Sequence, residues 1–290
     1  MLGWADLGAA DVVAAPEQRD TLTELEPTPM VKPAPSNACD VRVAAGGNAL
    51  ADALAKATTG ARLCLAAGDH QGGLALDKSV TLIGDKGAAI VGTGRGSVLR
   101  IEDDGHAIRL EGLTLRGGVA DAGGGLAIHG RGKVAIDNCT FAGNKAGMAG
   151  GGGLYARGGL LVVENTTFES NSGRQGGAVF LDQALKAEFK RCTFAHNRGD
   201  LGGALRASEG IEVALKACTF TDNVGGDGAA VKVSGTKSRK PTVHFDHCQI
   251  ADGALVNGPE IPGNVSARGC TAPASWKAAG VEDRGSNTFK

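Results

Sequence analysis

Short runs of alternating apolar and polar residues recur along most of this chain with a nearly constant period. One motif pairs an apolar Phe with an Asn three residues later, and the Phe spacings are 27, 26 and 26 residues. Its four copies contain Phe141 and Asn144, Phe168 and Asn171, Phe194 and Asn197, and Phe220 and Asn223. A degenerate copy around Ile250 follows after 30 residues, where the basic segment 235–241 is inserted. Internal repetition of this kind indicates a stacked architecture.

Two further segments complete each period. A glycine pair followed by an aliphatic run begins at Gly124, Gly152, Gly176 and Gly202, with a weaker copy at Gly228. Another apolar run precedes each Phe, and the register extends upstream to residues 80–90. Three short strands separated by Gly, Asn and Asp turns fit one coil. The sequence therefore predicts an all-β, single-stranded right-handed parallel β-helix of about 8 coils of 25–26 residues.

Stacking the coils places equivalent residues above one another. The four Phe residues are predicted to form an inner aromatic ladder, and the four Asn residues are predicted to bond from coil to coil in a turn. A second inner ladder contains Cys139, Cys192, Cys218 and Cys248, with Thr166 as the exception. The glycine pairs supply tight turns or turns with positive φ.

Both ends of a β-helix need covering because they expose a strand edge and an apolar core. We expect residues 39–62 to cap the N-terminal end through a helix at 48–59, with Asn48 as its cap. The β-helix itself is expected over 63–270, followed by a C-terminal cap or tail at 271–290. Residues 1–38 are rich in Pro, Glu and Thr and read as a linker or disordered arm.

Composition narrows the range of partners. The chain has 47 Gly, only 11 aromatic residues and a formal net charge of -1. This balance favours neither nucleic acid nor an anionic membrane. No run reaches the ~18 apolar residues of a membrane span, and residues 1–36 show no signal peptide. Scattered His residues give no metal site, and no cofactor is expected.

The interleaved motifs resemble the repeats of polymorphic outer-membrane proteins, whose signatures are Gly-Gly-Ala-aliphatic and Phe-x-x-Asn. The resemblance covers about residues 120–235, and it implies a surface adhesin, although no segment here matches the membrane barrel of that family. Residues 63–90 resemble the first coil of pectin-lyase-like β-helix proteins. That resemblance implies either a polysaccharide lyase, hydrolase, epimerase or esterase, or a protein without catalysis.

Candidate ligand-binding residues lie on the outward side of the strand that follows the glycine pair. The stripe runs from Ala127 through Tyr155, Phe180 and Arg206 to Lys232, and Arg157 lies beside it. Adjacent exposed aromatic rings flanked by bases suit stacking on sugar rings and binding of an acidic glycan. The alternative is that these side chains cover a neighbouring loop or another chain.

The nearest cluster with catalytic potential contains Asp246, His244 and Lys216, on the strand before the Phe motif. A β-helix lyase needs a basic residue with clustered carboxylates, and a hydrolase needs carboxylates facing one cleft. The outward residues of this strand otherwise alternate in charge, which favours simple ion pairs between coils. No signature of a named enzyme family is present.

The cysteines and the repeat together suggest a location. Cys39 and Cys64 flank the expected helix, so a disulfide between them is plausible in an oxidising compartment. We expect a secreted or cell-surface protein of a Gram-negative bacterium, or a periplasmic one, that binds a glycan or a surface protein without catalysis. A polysaccharide-active enzyme on the same scaffold is the alternative.

Overall fold

The computed structural model describes residues 38–102, 105–251, 253, 255–257 and 263–290. The arm expected at 1–38 lies almost entirely outside the described residues. The described residues confirm the right-handed parallel β-helix of about eight turns with a helix near its N-terminal end.

Each coil contributes strands to three parallel sheets, here called front, side and back. The front sheet contains Leu74–Ala75, Leu99–Ile101, Leu126–His129, Leu205–Ala207, Val231–Val233 and Leu255–Asn257. The side sheet contains Val41–Val43, Arg62–Leu65, Val80–Gly84, Ala107–Glu111, Lys133–Asp137, Glu212–Lys216, Thr242–Asp246, Asn264–Arg268 and Glu282–Asp283. Two long strands, Leu154–Glu164 and Val179–Lys190, run through both sheets.

The back sheet carries the Phe motifs. It contains Gly68–Gln71, Ala88–Val91, Thr114–Arg116, Thr140–Ala142, Thr167–Glu169, Thr193–Ala195, Thr219–Thr221, Gln249–Ile250, Thr271–Ala272 and Thr288–Phe289. The corner between back and front sheets adds two small parallel pairs, Val119–Ala122 with Lys145–Gly150 and Arg198–Leu201 with Val224–Asp227. This corner is the longest turn of the coil.

A single left-handed residue makes the bend between the side and back strands. Asn138, Asn165, Arg191, Ala217 and His247 occupy this position with φ between 49° and 53°. Asn tolerates this conformation better than most residues, but Arg, Ala and His adopt it only where the surrounding coil imposes it. The stacked coils therefore fix the turn, rather than the residue type alone.

The predicted aromatic ladder is present inside the coil. Phe141, Phe168, Phe194 and Phe220 lie fully buried, with successive ring centroids 4.9, 5.1 and 4.7 Å apart and rings within 11° of parallel. Parallel pairing in register holds the rings at the strand spacing. Each ring thus removes a large apolar area from water and also contacts its neighbours.

The predicted Asn ladder is present as well, and its amides point into the coil. The side-chain Oδ1 of Asn171 accepts from the backbone N–H of Asn144 at 3.0 Å, and Asn197 does the same for Asn171. Each Nδ2 also donates to a backbone carbonyl of the preceding coil, such as that of Phe141 at 2.8 Å. The ladder satisfies buried backbone groups that the turn leaves without strand partners.

The four predicted ladder cysteines are buried, and Cys270 extends the ladder by one coil. Their thiols donate to backbone carbonyls, for example from Cys248 to Leu215 at 3.3 Å. Burial raises the pKa of Cys139 to about 12. These side chains act as small apolar residues, as the sequence predicts.

The N-terminal end differs from expectation in where the stack begins. Val41–Val43 already pairs in parallel with Arg62–Leu65, so the coil starts before residue 63. The helix spans Ala49–Lys56 between these strands, and it buries Leu50 and Leu54. It ends three residues earlier than expected because Ala57 is extended. The carbonyls of Leu54, in its last turn, and of Ala57, just after its end, accept hydrogen bonds from Lys78 Nζ at 3.3 and 3.4 Å.

The C-terminal end also keeps the stack for longer than expected. Strands beyond residue 270 still pair in parallel with the preceding coil. The short helix Ser275–Ala278 interrupts them and places Trp276 inside, with no exposed surface. Its ring meets Phe245 edge-on, with centroids 4.9 Å apart. Residues 271–290 therefore close the core with an aromatic side chain as well as continuing the coil.

Candidate functional site

The predicted stripe of outward residues exists on the front sheet in the expected register. Ala127 lies opposite Tyr155, Tyr155 opposite Phe180, Phe180 opposite Arg206, and Arg206 opposite Lys232. The stripe extends one coil further towards the N-terminal end than predicted, because Arg100 lies opposite Ala127.

The two aromatic rings of the stripe are not exposed, which corrects the expectation of an open stacking surface. Tyr155 and Phe180 each retain only 6 % exposure. Side chains of adjacent coils contribute to this burial. The Tyr155 ring lies between His129 and Phe180, with centroids 5.0 and 5.5 Å away, and Arg206 lies over the Phe180 ring. The aromatic part of the stripe is therefore packed within itself and is not open for stacking on a ligand.

The polar groups of the same stripe also have interaction partners close by. The Tyr155 hydroxyl donates to Asp182 at 3.4 Å, and burial together with the Asp182 charge raises the pKa of Tyr155 to about 12. Arg206 lies over the Phe180 ring at 5.4 Å, and Lys232 pairs with Asp227. This part of the stripe is a packed layer of rings and charges.

Arg157, the remaining predicted ligand-binding residue, is exposed beside the stripe. Its guanidinium donates to the Gln183 side chain at 2.6 Å. It therefore stays accessible from solvent, unlike the aromatic residues it was predicted to accompany.

An open groove of about 680 Å³ lies at the N-terminal end of the stripe. It exists because Ala127 is small at the position that Tyr155 and larger side chains fill in later coils. Its walls are the segments 94–97 and 119–122. A hydrogen bond from the Val119 nitrogen to the Gly96 carbonyl, at 3.1 Å, joins the two walls. Arg100 and His129 complete the floor.

The groove combines cationic and apolar groups. Arg95 and His129 are exposed, and Arg100 is about half exposed with Glu102 3.8 Å away. The exposed carboxylate in the lining is Asp121. Val119, on the wall, is one of the few large apolar side chains left exposed, at 44 %. Desolvation lowers the pKa of His129, helped by Arg157 and opposed by Glu102.

The catalytic candidates lie on the outer face of the side sheet, away from this groove. Lys216 and Asp246 are register partners, but Lys216 pairs with Glu188 at 3.0 Å. Asp246 binds Arg268 through both oxygens at 3.1 and 3.2 Å and His247 at 2.8 Å. Burial raises the pKa of Asp246, but these two partners outweigh it, and the net pKa is lowered.

The third catalytic candidate, His244, faces the next coil. Its Nδ1 is 2.6 Å from the hydroxyl of Ser266, which is nearly fully buried. Desolvation, aided by Arg284, lowers the pKa of His244, so the imidazole is neutral near pH 7. The three candidates are neighbours in space, but each is engaged by a different partner.

A family model described as a right handed beta helix region matches residues 96–286. The chain belongs to this family. The matched residues cover the stripe, the side-sheet cluster and the groove apart from Gly94 and Arg95. A comparison with curated proteins finds no match.

Solved structures with the same fold include three enzymes at low identity. The pectin methylesterase of Aspergillus niger is 15% identical, with 89% of this chain and 91% of that chain covered and a TM-score of 0.55. An alginate lyase of Paenibacillus sp. is 14% identical, with 86% and 99% covered and a TM-score of 0.53. Pectin methylesterase PemA of Erwinia chrysanthemi is 13% identical, with 74% and 80% covered and a TM-score of 0.50. At such low sequence identities, the similarity of this β-helix family member to the three enzymes shows a shared fold alone.

The described part of the chain contains no cluster of three or more His, Cys, Asp or Glu residues arranged to hold a metal ion. It also contains no helix long and apolar enough to cross a membrane. The groove of this family member offers guanidinium, imidazole and small apolar side chains as recognition groups.

The sequence did not predict three residues of the groove, which are Arg95, Arg100 and Asp121. A signal for the groove was present, because Ala127 is the only small residue of the stripe and Arg100 precedes it by 27 residues, one period. The walls gave no signal, since they belong to corner turns whose path depends on the glycines around them.

Proposed function

We propose that this protein binds an acidic polysaccharide in the front-sheet groove, without cleaving it, as a secreted or surface-attached component of a bacterial envelope. The observation that carries the proposal is the open groove in which Arg95, Arg100 and His129 surround the small Ala127. An extended groove open to solvent suits one segment of a polymer better than an enclosed small molecule.

The side chains of the groove match the chemistry of a uronic acid. Guanidinium groups form two parallel hydrogen bonds with a carboxylate, which suits Arg95 and Arg100. The apolar face of a sugar ring can lie against Val119, which is already exposed, and against the His129 ring. Among the described residues, Arg100 forms an ion pair with Glu102 at 3.8 Å.

Two features support a location outside the cytoplasm. The disulfide between Cys39 and Cys64 joins the first two coils with a Cα separation of 5.7 Å, and such bonds persist in oxidising compartments. The alternation of Gly-Gly and Phe-x-x-Asn motifs is also similar to that of polymorphic outer-membrane adhesins. We therefore place this protein at the surface or in the periplasm of a Gram-negative bacterium, with adhesion as the role of binding.

The test is calorimetric titration of the full chain with trigalacturonate and with an alginate trisaccharide. The variant Arg95→Ala with Arg100→Ala is expected to weaken binding at least tenfold, since two charge-assisted contacts are lost. Arg198→Ala, an exposed base on the corner far from the groove, is the matched control and is expected to change little. Binding that survives the double substitution would exclude the groove as the site.

A polysaccharide-active enzyme is the second candidate, because Asp121 places a carboxylate in the same groove as two arginines. Pectin methylesterase and alginate lyase activities on this fold make esterified pectin and alginate the substrates to try. If the protein releases methanol or an unsaturated product, and Asp121→Asn abolishes this release, the protein is an enzyme and not only a binding protein. Loss in Asp246→Ala instead would place the chemistry on the side sheet.

A further inference from the structure

One corner of the coil departs from the repeat by an insertion. The front and side strands are joined by three residues at 130–132, but by eight residues at 234–241. The insertion contains Lys237, Arg239 and Lys240, all of them exposed. We call residues 236–240 the basic hairpin.

The basic hairpin has a defined backbone. Thr236 and Arg239 exchange two backbone hydrogen bonds, at 3.3 and 3.1 Å, and the nitrogen of Gly210 in the preceding coil donates to the Arg239 carbonyl at 3.2 Å. Gly235 packs so tightly that a Cβ there would lie 2.5 Å from Pro241. The three basic side chains thus project from a turn held by its neighbours, which lowers the entropy lost on binding.

No carboxylate of the described residues pairs with any of these three bases within 4.0 Å. Bases on the side sheet behave differently, since Lys186 pairs with Glu212 at 3.1 Å and Lys216 with Glu188 at 3.0 Å. Within the described residues, the basic hairpin is therefore a compact positive cluster without an ion pair. Such a cluster raises the local concentration of anionic ligands.

We infer that the basic hairpin is a second binding site, for a polyanionic polysaccharide contacted through its carboxylate or sulfate groups. Aromatic side chains, which stack on single-stranded nucleic acid, are missing from the hairpin sequence. Apolar side chains that would enter a membrane interface are missing from it too.

The inference deepens the proposed function and rests on it for the substrate class. The hairpin follows the front strand that carries Lys232, four coils beyond the strand of Ala127, which corresponds to roughly 19 Å at ~4.8 Å per coil. The groove walls lie at the back–front corner and the hairpin lies at the front–side corner, so a long chain that crosses the front sheet obliquely reaches both sites, whereas a short oligosaccharide occupies only the groove. Binding at two linked sites raises the affinity for the long chain above that for either site.

The experiment compares long-chain polygalacturonate with its trimer on the full chain, at about 50 mM and about 200 mM salt. The hairpin variant is Lys237→Ser, Arg239→Ser and Lys240→Ser. The control variant is Lys86→Ser, Arg174→Ser and Arg198→Ser, three exposed bases that line neither the groove nor the hairpin. Both variants remove three positive charges, so effects of net charge cancel in the comparison.

The hairpin variant is expected to weaken binding of the long chain about tenfold at the lower salt, less at the higher salt, and to leave trimer binding unchanged. The control variant is expected to change either affinity by less than about threefold. Equal effects of the two variants would overturn the inference. So would a hairpin-dependent affinity confined to phosphatidylglycerol vesicles or to oligothymidine, which are the parallel probes.

The two proposals fail in different ways. If the trimer does not bind but long-chain binding depends on the hairpin, the groove proposal fails and the hairpin site stands. If the trimer binds through Arg100 and the hairpin variant binds the long chain like the control, the hairpin site fails and the groove stands.

Discussion

Replacing Asn171 by Ala removes one rung from the middle of the Asn ladder. The side chain accepts from the backbone nitrogen and the Nδ2 of Asn144 at 3.0 and 3.1 Å, and it donates to the Phe141 carbonyl at 2.8 Å and to Asn197 at 3.1 Å. Two of these four bonds serve buried backbone groups, the nitrogen of Asn144 at the turn and the carbonyl of Phe141 in the strand Thr140–Ala142.

The magnitude follows from the backbone nitrogen of Asn144, which lies at the turn. A buried donor that loses its partner costs about 1–3 kcal/mol. The carbonyl of Phe141 belongs to a paired strand, and the side-chain bonds to the neighbouring amides add little, because those amides keep other partners. We expect Asn171→Ala to lower the free energy of unfolding by about 2 kcal/mol, a substantial part of the 5–15 kcal/mol of an ordinary domain.

Urea unfolding followed by circular dichroism measures this change, with Glu169→Ala as the control. Glu169 lies two residues away in the same coil and is exposed. A stacked protein can unfold in parts, so protection of amide hydrogens in coils on either side is measured in parallel. If Asn171→Ala and Glu169→Ala agree within about 0.5 kcal/mol, the ladder does not stabilise the turn as argued.

Three further predictions concern single groups. Because partial desolvation lowers the pKa of His129, the unfolded chain takes up the proton first, and the protein loses stability as pH falls through about 6.5. His129→Gln should flatten this part of the pH profile, and an unchanged profile would contradict the desolvation of this ring. The five free thiols should not react with a thiol reagent in the native protein and should all react after unfolding, whereas fast native labelling would show an open coil. Reducing the bond between Cys39 and Cys64, which are separated by 25 residues, should lower the free energy of unfolding by about 3.5 kcal/mol through loop entropy. If thermal melting of the variant with both cysteines replaced by Ser shows no such loss of stability, the bond does not hold the first coil.

The repeat made the middle of the fold predictable from sequence. Each Phe141-type residue, each Asn144-type residue and each glycine pair obeys one geometric constraint, so their spacing fixes the register of the coils. The ends were less predictable because they do not repeat. The strand Val41–Val43 is too short to stand out, and Trp276 closes the core by a contact with Phe245 that is distant in sequence.

The outward face was only partly predictable, for a different physical reason. Alternation shows that Tyr155 points out of the coil, but exposure depends on what passes over it. Tyr155 and Phe180 are nearly buried, and side chains of adjacent coils, such as His129 and Arg206, pack against their rings. Pointing outward and being accessible are therefore separate properties of a residue on this sheet.

This separation also explains where a ligand site can arise on a regular stack. A side chain that repeats in every coil is used for packing, and in the stripe even rings and charges pack against one another. Space appears where the series breaks: at Ala127, whose small side chain leaves the groove open, and at the insertion that forms the basic hairpin. Enlarging Ala127 to Tyr would extend the buried aromatic stack by one coil and fill the groove at the same time. Loss of trimer binding without loss of stability in that variant would tie recognition to the break in the repeat.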